Sequence, residues 1–439
     1  MGIAVRIFSG NKTMIFTADY SDLDLKVLLE RELVEVHFQP IISIREKMIV
    51  GFEGLSRGIH PISGKLIPPL PLLKIAKEAG LTLELDRLMR KKILQSFSRF
   101  CPQPHELILT LNFETSIIDK EIGSLQLIQL SRQLNLNPAN IVIEILESKI
   151  KNVEALAKFV NIHREHGFLI ALDDVGKGHS NFDRIPVIQP DIIKIDRSLV
   201  MNLQEDYFRQ EVFKSLVHLS HKIGAVVLAE GVETEEEVME SLELGADLLQ
   251  GFFFSKPQEP SADYAPLVAH LIDPMAAKFK KRMVEKLNIR KIQHERYRLI
   301  IENLVSEIST LSEEETEGKL SFALLNHSIA KALYVIDDKG LQTTAMACKT
   351  DHQPRKGIFR MPPKGTDYST RDFYYVLMDG GFSRESYTSE PYISPATGLF
   401  CLTIATRYKD KKGKTMILCV DVVPNYLKNM GRIMTLFGG

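Results

Sequence analysis

The 439-residue chain is longer than one hydrophobic core usually serves, so two domains are expected. Apolar residues at 44% and charged residues at 25% exclude disorder, collagen-like repeats and a membrane protein. A formal net charge of −1 provides no global basic field for duplex nucleic acid, so no DNA partner is expected and any nucleotide must be held by a local site.

The opening segment, MGIAVRIFSGNKTMIF, has no apolar run of signal-peptide length, and no stretch reaches the roughly 20 apolar residues that span a bilayer. A cytoplasmic location is therefore expected. Gly2 follows Met1, but Arg6 stands where a myristoylation signal needs Ser or Thr. Cys101, Cys348, Cys401 and Cys419 lack CxxC spacing and sit in apolar or strand-like text. They read as free buried thiols and not as a zinc site or a disulfide framework.

Between about residues 34 and 260 short apolar runs alternate with helical patterns, as in repeated βα units. The runs VEVHFQPI, IVGFEGLSR, LILTLNF, IVIEILES, FLIALDDV, DIIKIDRS, AVVLAEGVE and LLQGFFFS read as eight strands. Several are nearly continuous in Ile, Leu and Val, as strands buried on both faces require. Eight such strands with intervening helices predict a closed, parallel, TIM-like (β/α)8 barrel over residues 20–262. Asn202 or Asp206 is placed to open the helix through YFRQEVFKSLVHLSHKIG, which stops at Gly224. Thr234, Glu237 and Gly245 supply the N-cap, capping-box partner and stop of the next helix.

Residues 263–318 read as a long connecting helix that Pro274 should break. Its stripe of Ile289, Ile292, Leu299, Ile300 and Leu304 on a charged helix predicts one face packed on a domain and the other in water, with too irregular a heptad for a coiled coil. Residues 319–439 read as a small α+β domain dominated by antiparallel sheet. It begins with a helix through SFALLNHSIAKA and continues in the strands ALYVIDDKG, LQTTAMAC, FCLTIATRY and TMILCVDVV.

In a barrel, catalytic groups collect at the C-terminal strand ends, where the βα loops share one open face. Polar residues recur there: Glu53, Asn112, Glu144 and Glu147, Asp173 and Asp174, Lys194, Glu230 and Glu233, and Gln250. A lone barrel carboxylate is usually structural, but four strands bearing them at one end repel prohibitively without added cations. An all-oxygen set with an amide and no Cys suits Mg²⁺ or Mn²⁺, and the site is one that suits phosphodiester cleavage.

EGLSR at 53–57 resembles the ExLxR signature of EAL-domain cyclic di-GMP phosphodiesterases, and DDVGKGHSN, DIIKID, AEGVE and QGFFFSKP are similar to that family's later motifs in the same order. The resemblance implies hydrolysis of cyclic di-GMP to pGpG at a centre of two Mg²⁺ or Mn²⁺ ions in a homodimer. It implies that Glu53, Asn112, Glu144, Asp173 and Asp174 bind metal, that Glu230 is a ligand or base, and that Lys194 holds the attacking water. Glu147 and Glu233 are implied to steady neighbouring loops, and Gln39, Arg57 and Gln250 to contact substrate. Arg57 also reads as a salt-bridge partner of a barrel carboxylate.

The family usually reads close to DDFGTGYSS after the fifth strand, whereas this chain has Val175, Lys177, His179 and Asn181 there. Lys177 beside the aspartates is expected either to weaken metal binding, giving a cyclic di-GMP receptor with little turnover, or to point into solvent. His179 reads as a solvated loop residue. Gly54 replaces the family's usual Ala, a small change that loosens a strand.

The second domain resembles a Cache domain, a PAS-like sensory fold, through Arg371, Phe373, Tyr374, Tyr392, Thr397, Gly398, Thr403 and Asp421. The resemblance implies a small amphoteric ligand between Arg371 and Asp421, although Phe373 stands for the family's Trp. A dimerisation module with a filled core fits the same text, since its aromatics read equally as core.

Overall fold

The computed structural model describes residues 3–9, 12–18, 20, 22–100, 106–121, 124–146, 152–178, 182–260, 264–327, 330–349, 360–378, 385–398 and 400–423. They form two compact units, Met1–Val284 and Glu285–Gly439. The expected connector is divided between them.

The first unit opens with an antiparallel ribbon of β1 (Ile3–Ser9) and β2 (Lys12–Ala18), which the sequence reading did not anticipate. The barrel follows: β3 (Val34–Ser43), β4 (Met48–Ile59) with a short flanking strand β5 (Leu66–Ile67), β6 (Ile108–Phe113), β7 (Ile141–Leu146), β8 (Leu169–Val175), β9 (Ile192–Ile195), β10 (Val226–Glu230) and β11 (Leu248–Gln250). The sheet order β3-β11-β10-β9-β8-β7-β6-β4, with β3 also paired to β4, closes the ring. The barrel is not wholly parallel, because β3 runs antiparallel to both β4 and β11. Only residues 44–47 separate β3 from β4, too few for the crossover that a parallel pair requires.

Alternation along the strands separates two apolar layers. Outward residues such as Leu109, Leu111, Ile143, Ile170 and Ile193 pack under the helices. Inward residues Ile41, Val142, Ala171, Ile192 and Leu228, one each from β3, β7, β8, β9 and β10, fill the interior. Two residues later in β7 to β10 stand Glu144, Asp173, Lys194 and Glu230, and two residues earlier in the antiparallel β3 stands Gln39. The polar layer therefore lies directly above an apolar plug, as stacked interior layers dictate.

Asp206, not Asn202, caps the helix Tyr207–Lys222, and Thr234 and Glu237 form the expected capping box of Glu235–Glu243. Pro274 does not break its helix, which runs unbroken over Tyr264–Ile308. Val268, Ile272 and Met275 around it are buried in the barrel core, and their burial, roughly 1.5–3 kcal/mol each, exceeds the ~3 kcal/mol proline cost.

In the second unit β12 (Ala330–Asp337), β13 (Ala347–Cys348), β14 (Ser386–Thr388), β15 (Tyr392–Ile393), β16 (Phe400–Lys409) and β17 (Thr415–Val422) form an antiparallel sheet in the order β13-β12-β17-β16-β14, with β15 on β16. The expected helix through residues 321–332 is displaced: it spans Glu313–Asn326 behind a Ser312 capping box, and Ala330–Ala332 belong to β12. The pairing of β12 with β17 decides that boundary. One sheet face carries Leu333, Val335, Leu418 and Val420 against Leu320, Leu324, Ile301, Leu304 and Ile308. The other carries Tyr334, Ile336, Ile417 and Cys419 against Tyr368, Phe373 and Leu377. The connector's buried stripe is thus Ile301, Leu304 and Ile308, whereas Ile289, Ile292 and Leu299 are exposed. Among the described residues Cys401 and Cys419 are buried free thiols and Cys348 is half-buried, while Cys101 lies outside them.

Candidate active site

Every strand of the ring contributes a polar group to one end of the barrel: Gln39, Glu53, Asn112, Glu144, Asp173 with Asp174, Lys194, Glu230 and Gln250 in ring order. Register brings them level, since Gln39 pairs with Glu53, Asn112 with Glu144, and Glu230 with Gln250. Asp173 and Asp174 are consecutive and would normally point to opposite faces of the sheet. The β8 register shifts between Leu172 and Val175, and Asp174 adopts a φ of 58°, so the bulge turns both carboxylates to the same end. Oxygens of Asp173, Asp174 and Glu230 all lie within 4.8 Å of one another.

Lys194, 1% exposed, occupies the centre. Its Nζ lies 2.5 Å from Glu144 Oε1, 2.7 Å from Glu230 Oε1, 3.3 Å from Asp173 Oδ1 and 3.9 Å from Glu53 Oε1. Burial pulls its pKa down, but the surrounding carboxylates of Asp173, Glu144, Glu230 and Glu53 outweigh that and hold it well above the usual lysine value. Burial pushes the Glu144 carboxyl up to about 8 against the pull of Lys194. Burial, reinforced by Asp173 and Glu53, also raises Glu230 well above the carboxylate range. One ammonium among four carboxylates leaves the pocket short of positive charge.

Glu53 is held on both oxygens. Asn112 Nδ2 donates to Oε1 at 3.1 Å and Gln250 Nε2 to Oε2 at 2.6 Å. Gln250 also donates to Gln39 Oε1 at 3.0 Å, and Gln39 donates to the Ser255 carbonyl at 3.0 Å. Apart from its ion pair to Lys194, the Glu144 carboxylate makes no hydrogen bond among the described residues, and neither does Asp173 Oδ1. Buried carboxylate oxygens that share one ammonium or, like Glu144 Oε2, have no donor among the described residues, in an all-oxygen set short of positive charge, fit a divalent cation.

Arg57, expected at substrate or a carboxylate, donates to the Ser56 carbonyl at 2.9 Å, opposite Glu35 in register. Glu233 is removed from the ring and pairs with Arg197 at 2.8 Å. Lys177 folds back onto Asp174, its Nζ 3.0 Å from the carboxylate, while its side chain stays largely exposed. Glu147, His179 and Asn181 lie outside the described residues. Asp196 was not singled out in the sequence, yet it faces Lys177 at 3.8 Å and caps the helix Arg197–Val200. Its position one residue past the end of β9, two after Lys194, was the available signal.

In the second unit Tyr392, Ser394 and Thr403 surround the buried Asp421, with Thr403 Oγ1 at 2.8 Å, and Arg371 stacks 5.4 Å from the centre of the Tyr392 ring. Phe373 is core, and Tyr374 reaches outward to the Asp338 carbonyl at 2.9 Å.

A closed barrel with a carboxylate ring at its strand ends defines the class: residues 22–257, more than half the chain, match the EAL domain model, and the chain belongs to that family. It is 24% identical over 411 residues to the EAL-domain containing protein YkuI of Bacillus subtilis, covering 92% of this chain and 97% of that protein. It is 29% identical over 222 residues to PdeG of Escherichia coli, a probable cyclic di-GMP phosphodiesterase, covering 50% of this chain and 44% of PdeG. The signaling protein YkoW of B. subtilis is 27% identical over 244 residues, and the match spans 54% of this chain and 30% of YkoW. The crystal structure of YkuI with substrate c-di-GMP and calcium shares the fold, with a TM-score of 0.77 at 24% identity over 92% of this chain and 100% of that one.

Proposed function

We propose that the barrel hydrolyses cyclic di-GMP to linear pGpG with Mg²⁺ or Mn²⁺. The observation that carries the reading is the ring of Glu53, Glu144, Asp173 and Glu230 around the single ammonium of Lys194, with the buried Oε2 of Glu144 left without a donor among the described residues. PdeG is named a probable cyclic di-GMP phosphodiesterase, PdeR and PdeL of E. coli are named cyclic di-GMP phosphodiesterases, and YkuI was crystallised with c-di-GMP.

Glu53, Asn112, Glu144, Asp173, Asp174 and Glu230 are the residues to hold the metal. A bound divalent ion supplies charge neutralisation at the phosphate and lowers the pKa of a water. Glu230, at the ring beside Asp173 and Asp174, accepts the proton of the attacking water. Lys194, within hydrogen-bonding reach of Glu230, favours hydroxide at that point. The water oxygen bonds to phosphorus, the bond to the ribose 3′-oxygen breaks, and that oxygen takes up a proton. Gln39 and Gln250 fix the orientation of Glu53, and Arg57 retains guanidinium donors for a phosphate oxygen.

A receptor with little turnover is the second reading, favoured by the occupation of Asp174 by Lys177. The second unit reads as a Cache/PAS-like module, and the hydrogen bonds that close around Asp421 support the filled-core reading over an open ligand pocket at that carboxylate. Incubation of the full chain with cyclic di-GMP and Mn²⁺ should yield pGpG, and Glu53→Ala should abolish it. Binding of cyclic di-GMP without product, at confirmed metal occupancy, selects the receptor.

A further inference from the structure

Both oxygens of Asp174 are engaged by a cation that the chain itself supplies. Lys177 Nζ lies 3.0 Å from Oδ1 and 3.0 Å from Oδ2, and 3.8 Å from Asp196 Oδ2. The backbone builds this in. Asp174 at φ 58° and Gly176 at φ 97° fold the segment into a turn in which Lys177 N donates to the Asp174 carbonyl at 3.2 Å. A side chain three residues on is thereby brought back over the carboxylate. Asp196 is fixed beside it, its N–H donating to the Val175 carbonyl at 3.0 Å and its carboxylate accepting from Ser198 N at 2.9 Å.

We propose that Lys177 is a tethered cation that occupies Asp174 in place of a second divalent ion. The chain then takes one ion at the ring around Lys194, and a second only after Lys177 swings from Asp174 towards Asp196. The proposal rests on the metal-centre reading above. An ammonium covering both oxygens blocks them sterically and repels a further cation, and the short tether keeps it at high effective concentration. Nothing buries it in place, since the Lys177 side chain is 60% exposed, and Asp196 already stands on the other side to receive it. Occupancy of the second ion position, and any turnover that needs it, is consequently set by competition with this side chain.

The test is a Mn²⁺ titration of the full chain, with free ion followed by electron paramagnetic resonance, for wild type, Lys177→Met and Lys177→Met/Asp174→Asn. Wild type should bind one ion tightly and a second weakly. Lys177→Met should tighten the second by roughly ten- to a hundredfold, as expected for release of charge-assisted hydrogen bonds, and Asp174→Asn should remove the gain. Identical isotherms for wild type and Lys177→Met, or a gain that survives Asp174→Asn, overturn the tethered cation and leave the metal centre standing. Absence of Mn²⁺ uptake by wild type and Lys177→Met alike overturns the centre and the proposal with it.

Discussion

Lys194 is the residue on which the barrel's charge balance turns. Its ammonium faces Glu53, Glu144, Asp173 and Glu230 and is almost sealed from water. Lys194→Met removes the one cation inside the ring, so in chelator it should destabilise the protein by roughly 3–5 kcal/mol, the usual result of leaving buried charge unpaired. Mn²⁺ should restore much of that loss, because it supplies the missing charge. Denaturant melts with and without metal read both effects, and equal midpoints for wild type and variant in chelator contradict the charge account. Asp421 makes a separate prediction in the second unit. Burial raises its carboxyl to about 6 in the folded protein, against an ordinary 3.8, despite bonds from Thr403, Ser394 and Tyr392. The folded state therefore holds the proton more tightly than the unfolded chain. The associated stability is present below about pH 4 and is lost as pH rises through about 6, amounting to roughly 3 kcal/mol. Compared with Asp421→Asn at each pH, hydrogen-exchange protection of β16 and β17 should fall steadily between pH 4 and 7. A constant ratio contradicts it.

Individual elements show which features the sequence made legible. Strands β6 to β9 announce themselves because both faces are buried, and the helix Glu235–Glu243 because a capping box has a fixed spacing. The antiparallel entry of β3 was not legible, since its apolar text resembles that of its parallel neighbours and only the short link to β4 betrays it. Pro274 misleads for the opposite reason: a local rule is overridden by tertiary burial of Ile272 and Met275. Gly54 in β4 is a third case. A Cβ there meets Ile93 Cγ2 at 2.3 Å, so the glycine is matched to a β-branched neighbour and the alanine common in the family does not fit without movement. Gly54→Ala should cost about 1–3 kcal/mol, seen as a lower denaturant midpoint at unchanged slope. An unchanged midpoint contradicts the packing argument.

At the scale of the whole molecule, the ring of site residues was readable because barrel topology converts a one-dimensional recurrence, a polar residue at each strand end, into one layer. Glu53, Glu144, Asp173 and Glu230 met as expected around Lys194. What the sequence did not reveal were pairings set by side-chain reach: the hold of Gln250 on Glu53, and the bridge of Lys177 between Asp174 and Asp196. Glu233, expected to steady a loop, lies three residues beyond Glu230 in the loop that leaves β10 and pairs there with Arg197. The second unit is legible as an antiparallel sheet by its alternation, while its role depends on what Arg371 and Asp421 meet, which alternation does not encode. In the proposed function this ring directs water onto a phosphodiester of cyclic di-GMP. Its most direct test is product analysis after incubation of the full chain with cyclic di-GMP and Mn²⁺ in water enriched in oxygen-18. The expected result is pGpG carrying one heavy oxygen on its terminal phosphate, with none formed by Glu53→Ala. Cyclic di-GMP that is bound by the metal-loaded protein yet recovered intact would contradict it.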